Sequence, residues 1–98
     1  MISETIKVIN GEGIHMRPSM YIVDTVNLFN SKVTIEHKDE SKNSQGAVDA
    51  SSVMHLTMLA ATFGDELIVT SNGPDEEKAL NAVKIIIEDG FKKAYTDY

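Results

Sequence analysis

The sequence predicts an α+β fold in which a four-stranded antiparallel sheet carries three helices on one face. Short segments with apolar residues at every second position predict strands, and longer segments with apolar residues every three to four positions predict helices. These segments follow one another in the order β-α-β-β-α-β-α, which builds two layers around one core. The chain has 98 residues, and we expect a single domain over residues 1–98.

The chain opens with a strand, a glycine-containing loop and a helix. In residues 2–9, Ile6 and Val8 lie on one face and polar side chains on the other, which is typical of a half-buried strand. A helix is predicted from Met16, with Pro18 in its first turn, where the missing N–H does no harm. The apolar stripe of this helix consists of Ile22, Val26 and Phe29.

The middle of the chain combines two short strands, a polar loop and a second helix. Residues 33–36 alternate apolar and polar side chains and predict a strand, whereas residues 38–45 contain no apolar side chain and predict a long hairpin loop. A short strand is expected at 47–49. A second helix is expected between residues 53 and 64, with either of the two preceding serines as its N-cap.

A buried strand and a third helix complete the pattern. Residues 66–70 are rich in β-branched side chains and lie between turn residues, which predicts a buried strand. Pro74 and the acidic residues after it are typical of a helix start, and the helix is expected to end at Asp89-Gly90. Residues 91–98 show no clear apolar stripe and are expected to form a helix end or a frayed terminus.

Charge and composition exclude several classes of function. Nine Lys and Arg against fifteen Asp and Glu leave a formal charge of −6, so non-specific attraction to nucleic acid is disfavoured. The chain has no Cys, and therefore no disulfide, thiolate metal site or thiol nucleophile. It has no run of about 18 apolar residues and no signal-peptide pattern, so we expect no membrane association.

The most unusual local feature is a histidine between a glycine-containing loop and a helix start. His15 follows Gly11 and Gly13, and Arg17 comes two residues later. Free N–H groups, the positive end of the helix dipole and a guanidinium would all favour an anionic group there, which suits a transient phosphohistidine. The alternative is a loop histidine that merely caps the helix.

This segment also resembles a known family. Gly13-Ile-His15-Met-Arg17-Pro18 is similar to the Gly-Leu-His-x-Arg-Pro signature of the HPr family, the histidine-containing phosphocarriers of the bacterial phosphoenolpyruvate-dependent sugar phosphotransferase system. The resemblance extends over nearly the whole chain. It includes the strand order, residues 48–54 as the second-helix region, Gly64 before the last strand, and residues 73–76 as the start of the last helix.

The resemblance implies the fold called the open-faced β-sandwich and the function of a phosphoryl relay. His15 would accept a phosphoryl group on Nδ1 from enzyme I and pass it to an enzyme IIA domain, while Arg17 would hold the phosphoryl oxygens. Such a carrier is not a catalyst in the strict sense and needs no metal or other cofactor. We expect it to be a cytoplasmic monomer.

The resemblance also singles out Ser52 as a candidate regulatory site. Some members of the family are phosphorylated by a dedicated kinase, HPr kinase/phosphorylase, on a serine that aligns with Ser52. The plain alternative is an N-cap of the second helix, for which Ser51 is an equal candidate. This chain has His55 where those members usually have glycine, and its preceding hairpin loop is longer.

Four apolar side chains are predicted to surround His15 as a flexible docking surface, provided that the first two helices start at the same edge. These side chains are Met16, Met20, Val53 and Met54. Ordinary core packing is the alternative; we favour it for Met58 and consider it for Met54. The other two histidines, His37 and His55, have no metal-ligand spacing with His15, so no zinc site is expected.

Two other functions stay open from the sequence. One is an HPr-like regulatory protein that acts by phosphorylation-dependent protein binding and not in sugar transport; the presence of His15 argues against the relatives regulated only on serine, which lack it. The other is a ferredoxin-like small-molecule sensor domain, which has the same element order but no need for a His-x-Arg-Pro turn. The phosphocarrier function is the one that the residues and the resemblance favour together.

Overall fold

The computed structural model describes residues 1–43 and 46–98, so the 44–45 end of the predicted hairpin loop lies outside the described residues. Its helices and strands are β1 (Ile2–Lys7), α1 (Met16–Val26), β2 (Lys32–His37), β3 (Val48–Asp49), α2 (Val53–Met58), β4 (Glu66–Asn72) and α3 (Glu76–Glu88). Two short 3₁₀ turns lie at Glu40–Lys42 and Tyr95–Asp97. This sequence of elements confirms the predicted order β-α-β-β-α-β-α.

The strands form one antiparallel sheet in the order β1-β4-β2-β3. The first strand pairs with the last, with Ile2 opposite Ser71, although the two lie far apart in the sequence. On the other side of β4, His37 of β2 lies opposite Leu67. The predicted α+β class with a four-stranded antiparallel sheet is therefore confirmed.

The three helices pack on one face of this sheet. Side chains along β4 alternate between buried and more exposed positions, because one face of the strand meets the helices and the other does not. Helix α3 packs on β1 and β4, and α1 packs on both α3 and α2. Strands and helices both supply the fully buried side chains of the core, among them Ile6, Ile35, Leu67, Val69, Ile22, Leu56, Val83 and Ile86.

The apolar stripe predicted for α1 extends beyond the end of the helix, and α2 is shorter than predicted. Helix α1 ends at Val26, and Phe29 packs against the core from the turn that follows it. Helix α2 ends at Met58, because Ala60 adopts a left-handed backbone conformation (φ +53°) that a right-handed helix cannot continue. Residues 60–65 consequently form a loop between α2 and β4.

The C-terminal tail packs against the rest of the chain, so the expectation of a frayed terminus is wrong. Gly90 and Phe91 both have left-handed backbone conformations (φ +73° and +58°), which turn the chain after α3 and bury the Phe91 side chain in the core. Farther along, the Tyr95 ring lies 6.3 Å from the ring of Phe29. Phe91, Tyr95 and Tyr98 follow the i, i+4, i+7 spacing of a helix face, a sign of packing that the sequence analysis missed.

Candidate functional site

His15 lies where the first loop turns into α1. The loop is a tight turn in which the Gly13 amide donates to the Asn10 carbonyl (3.1 Å) and the Asn10 side-chain amide donates to the Gly13 carbonyl (2.7 Å). The turn is also attached to the loop after α2, since the Ile14 amide donates to the Ala61 carbonyl at 2.9 Å. The backbone that carries His15 is thus held at two points.

Gly13 is required for this attachment. Its φ of +72° lies in the left-handed region that favours glycine. A Cβ at this position would lie only 2.3 Å from the Ala61 carbonyl oxygen, well inside contact distance. The absence of a side chain therefore allows the loop before α1 to lie directly against the loop after α2.

His15 is the N-cap residue of α1 by position, but its side chain does not cap the helix. Its backbone is extended (φ −111°, ψ −153°), and no side-chain hydrogen bond caps α1. The first N–H groups of a helix have no partner within the helix, and Pro18 has no N–H, so those of Met16 and Arg17 are available to an anion. The interpretation of His15 as a helix cap is therefore wrong.

Arg17 places a cation in the first turn of α1. Its side chain is exposed, and its guanidinium carbon lies 5.8 Å from the centre of the Tyr21 ring, within the range of a cation–π contact. Across the described ranges of the chain, the guanidinium forms no ion pair. It can therefore bind the oxygens of an incoming anionic group.

Glu12 is a neighbour of His15 that the sequence analysis missed. Its Oε2 atom lies 2.9 Å from Nε2 of His15. A carboxylate only accepts hydrogen bonds, so Nε2 carries the hydrogen, and in the neutral imidazole Nδ1 keeps the free lone pair. The available signal was an acidic residue three positions before the histidine, within a turn marked by glycines on both sides.

A depression of about 290 Å³ opens to the surface beside this pair. Its walls include Glu12, His15 and Arg17, together with Gly90 and Phe91 from the turn after α3. The side chain of His15 is 46% exposed. A reactive group carried by another protein can therefore reach the imidazole.

The apolar residues predicted around His15 lie mainly on the surface. Met16, Met20 and Met54 are exposed and Val53 is half-buried. Met58, which the sequence analysis assigned to the core, is 49% exposed, so that assignment is wrong. Phe63, in the loop after α2, is a further exposed apolar side chain that was not predicted. Since α1 packs against α2, these side chains lie on neighbouring segments.

Ser52 is the N-cap of α2, since its Oγ accepts a hydrogen bond from the His55 amide at 3.3 Å. The hydroxyl of Ser51 donates instead to Asp49 (2.7 Å), so only Ser52 has the capping role. The Ile14 amide, just before α1, donates to the carbonyl of Ala61, which follows α2, so the start of α1 lies beside the end of α2. Ser52 lies at the opposite end of α2 from this contact.

The remaining histidines do not contribute to the surroundings of His15. His37 is buried, and its Nε2 lies 2.7 Å from the Leu59 carbonyl, whereas His55 is exposed on α2. Within residues 1–43 and 46–98, no group of three or more His, Asp or Glu side chains is placed to hold a metal ion. Over the same ranges, no helix is long and apolar enough to cross a membrane.

An open-faced α+β sandwich with a His-x-Arg-Pro turn at the start of its first helix is the mark of the HPr-like phosphocarrier domains. A family model described as "PTS HPr component phosphorylation site" matches residues 2–89 of this chain. The chain belongs to this family, PTS-HPr, as the sequence analysis predicted.

Individual relatives agree with this membership. The chain is 33% identical over 93 residues to the phosphocarrier protein HPr of Treponema pallidum (strain Nichols), covering 95% of this chain and 99% of that protein. It is 32% identical over 90 residues to the phosphocarrier protein NPr of Escherichia coli (strain K12), covering 92% and 94%. The solved structure of HPr-C-His from Thermoanaerobacter tengcongensis matches with a TM-score of 0.82 at 30% identity, covering 95% of this chain and 98% of that one. The HPr-like open-faced β-sandwich is confirmed, and the chain is a phosphocarrier of the phosphotransferase system.

Proposed function

We propose that this protein accepts a phosphoryl group on Nδ1 of His15 from phospho-enzyme I and passes it to an enzyme IIA domain. The observation that carries the proposal is the state of the imidazole at the start of α1. It is half-exposed, it does not cap the helix, and Glu12 engages Nε2, which leaves Nδ1 free to react. A histidine that served only as a helix cap would instead have its ring bonded to the N–H groups at the helix start.

Phosphoryl transfer requires that the protein position the reacting groups and stabilise the charge of the phosphoryl oxygens. The Nδ1 lone pair forms the new N–P bond while the bond between phosphorus and the donor breaks, and the donor keeps that electron pair. The negative oxygens of the phosphoryl group are met by Arg17 and by the free N–H groups at the start of α1. Onward transfer to the acceptor is the same step in reverse.

A relay must bind at least two partners in turn, and the exposed methionines support this. Unbranched thioether side chains adapt to surfaces of different shape, and Met16, Met20 and Met54 are all exposed. We assign the partner contacts to these side chains and to Val53. With enzyme I and an enzyme IIA domain as its partners, we expect the protein to act in the cytoplasm as a monomer.

The test is incubation of the purified chain with phosphoenolpyruvate and a bacterial enzyme I, followed by mapping of acid-labile phosphate. His15→Ala is expected to abolish labelling, whereas His55→Ala, which alters an exposed side chain of α2, is expected to label like the parent. His37→Ala is also expected to label; because it removes a buried hydrogen bond, its folding is checked by circular dichroism. Labelling that persists in His15→Ala contradicts the proposal.

A further inference from the structure

We infer that Glu12 is a positioning residue for phosphoryl transfer, because its carboxylate holds the Nε2–H of His15 and so keeps Nδ1 as the nucleophilic nitrogen. The inference rests on the proposed function, since it concerns how the same imidazole is prepared for reaction. Glu12 lies outside the His-x-Arg-Pro turn, so the inference adds a residue to those with a role in the transfer.

The contact between Glu12 and His15 is short, and the local hydrogen bonds of the backbone support it. The 2.9 Å separation of Glu12 Oε2 and His15 Nε2 lies in the range of a charge-assisted hydrogen bond. The bonds between Asn10 and Gly13 fix the backbone of Glu12, and the bond from the Ile14 amide to the Ala61 carbonyl holds the backbone next to His15. Only side-chain rotations have to be restricted to form the pair, which reduces the entropy that opposes exposed ion pairs.

The contact decides which ring nitrogen can react. A neutral imidazole carries one hydrogen, on either Nδ1 or Nε2, and only the other nitrogen has a lone pair in the ring plane. A carboxylate at Nε2 stabilises the tautomer with hydrogen at Nε2. In that tautomer the lone pair of Nδ1 is available to attack phosphorus.

The contact also matters after transfer. When Nδ1 forms the bond to phosphorus and the donor leaves with its electron pair, the hydrogen on Nε2 stays in place and the ring gains a positive charge. The Glu12 carboxylate offsets that charge. Because the two ring nitrogens lie on different edges of the imidazole, the carboxylate does not occupy the space that the phosphoryl group needs.

The experiment measures tautomer and rate together. In ¹⁵N NMR spectra of the ring nitrogens, recorded where the imidazole is neutral, the parent is expected to show the Nε2–H tautomer of His15. Glu12→Ala is expected to raise the share of the Nδ1–H tautomer and to slow labelling by phospho-enzyme I about 2- to 5-fold, the size of effect expected for an exposed charged contact. Glu12→Gln keeps an oxygen acceptor and is expected to restore the tautomer and part of the rate.

Glu77→Ala is the matched control, since it removes an exposed carboxylate from the first turn of α3. The C-terminal end of α3 lies beside His15, since Gly90 and Phe91, which follow it, line the depression. The first turn of α3 is at the other end of this 13-residue helix, about 20 Å away. Both changes in Glu12→Ala, with neither in Glu77→Ala, support the inference. A change in only one of them, no change, or equal changes in the control would overturn it. If the parent takes no phosphate, the proposed function fails, whereas the tautomer measurement still judges the Glu12 contact.

Discussion

Side chains at the start of α1 divide between those that hold the loop and those that are free to react. Asn10 and Gly13 make the hydrogen bonds and the close approach that fix the backbone. His15 and Arg17 are exposed and contribute little to that framework. Changes to the reactive side chains should therefore alter chemistry more than stability.

Arg17→Ala tests this division directly. Loss of a charge-assisted contact of about 1.5–3 kcal/mol in the transition state should slow phosphorylation of His15 on the order of 10- to 100-fold. The free energy of unfolding should change by less than about 1 kcal/mol, because an exposed guanidinium contributes little to stability. Rapid-quench labelling by phospho-enzyme I measures the rate, and urea unfolding measures the stability.

Lys78→Ala removes a cation from the first turn of α3 and serves as the control for net charge. Transfer in Arg17→Ala at the parental rate would show that the guanidinium does not bind the transferring group.

His15 and Arg17 could be predicted from the sequence because they stand together in one short motif. Glu12 could not, because its contact depends on the shape of the turn, and that shape depends on Gly13 and Ile14 lying against Ala61 from a distant part of the chain. Local spacing shows which residues are near in sequence. It does not show which of their side chains are in contact once the loop has folded.

The apolar pattern predicts burial correctly in α1 but not at the end of α2. Ile22 and Val26 are buried as the period predicts. In α2 the same reasoning failed for Met58, because the helix ends at that residue and leaves the side chain at the surface. Methionine suits both core and surface, so its presence in an apolar run does not identify its environment.

Met20, one of the two exposed methionines of α1, gives a test of partner docking. Met20→Glu should weaken binding to enzyme I by about 10-fold or more, since a carboxylate must lose its water to enter an apolar interface. Because the side chain is already in contact with water, the melting temperature should stay close to that of the parent. Val53→Glu is expected to act in the same way. Isothermal titration calorimetry measures the binding.

Leu28→Glu is the control, because it places the same charge on an exposed apolar side chain just beyond the C-terminal end of α1. It is expected to bind like the parent. Equal weakening by both substitutions would indicate a general charge effect, and unfolding of Met20→Glu would assign that side chain to the core.

Helix α2 gives a test of regulation at Ser52, which we propose as the target of a HPr kinase/phosphorylase. Aspartate is as good an N-cap as serine, so Ser52→Asp should keep the melting temperature, whereas Ser52→Ala should lose about 0.5–2 kcal/mol of stability. The added charge lies next to Val53 and Met54, and it should slow phosphorylation of His15 because it must be desolvated when enzyme I binds.

The readouts for Ser52 are the labelling rate and the thermal transition of each variant. Ser51→Asp, beside it but outside the cap, is the control for charge at this end of α2. Parental labelling of Ser52→Asp, together with no modification of the parent by the kinase, would leave Ser52 with its capping role alone.

The whole fold depends on contacts between segments that are distant in sequence. The order β1-β4-β2-β3 places the first strand beside the last, and the turn at Gly90 approaches Ile9 and Asn10. The element order and the antiparallel class could be predicted from periodicity and resemblance. The path of the tail could not, because it depends on left-handed backbone conformations at Gly90 and Phe91 that no pattern of apolar residues encodes.

One of these long-range connections links the hairpin to the loop beside His15. The Lys42 ammonium, from the 3₁₀ turn of the hairpin, lies 2.6 Å from Oδ1 of the buried Asp65. The other carboxylate oxygen accepts from the Thr62 amide at 2.9 Å, one residue after the carbonyl of Ala61 that bonds to Ile14. Asp65 therefore joins two loops that the sequence separates.

Asp65 makes stability depend on pH in the acid range. Burial acts to raise the pKa of this carboxyl, but the hydrogen bonds from Lys42 and Thr62 outweigh burial and hold the pKa below its usual range. The charged form is thus favoured by folding. The stability it contributes is fully present above the unfolded pKa of about 4 and is lost as the pH falls through the lower folded value.

The melting temperature of the parent should therefore fall as the pH decreases below about 4. Asp65→Asn should have a lower melting temperature at pH 7 and a shallower acid-side decline, because an amide has no proton to take up. Part of the acid-side decline should remain in Asp65→Asn, because other carboxyls also have pKa values lowered by the hydrogen bonds that they accept. These carboxyls are Asp39, Asp49, Asp75 and Glu76. Asp97→Asn, which alters an exposed side chain of the tail, should keep the parental decline. If Asp65→Asn and the parent lose stability in parallel from pH 7 to pH 2, measured by calorimetry, the connection between the hairpin and the loop does not depend on the charge of Asp65.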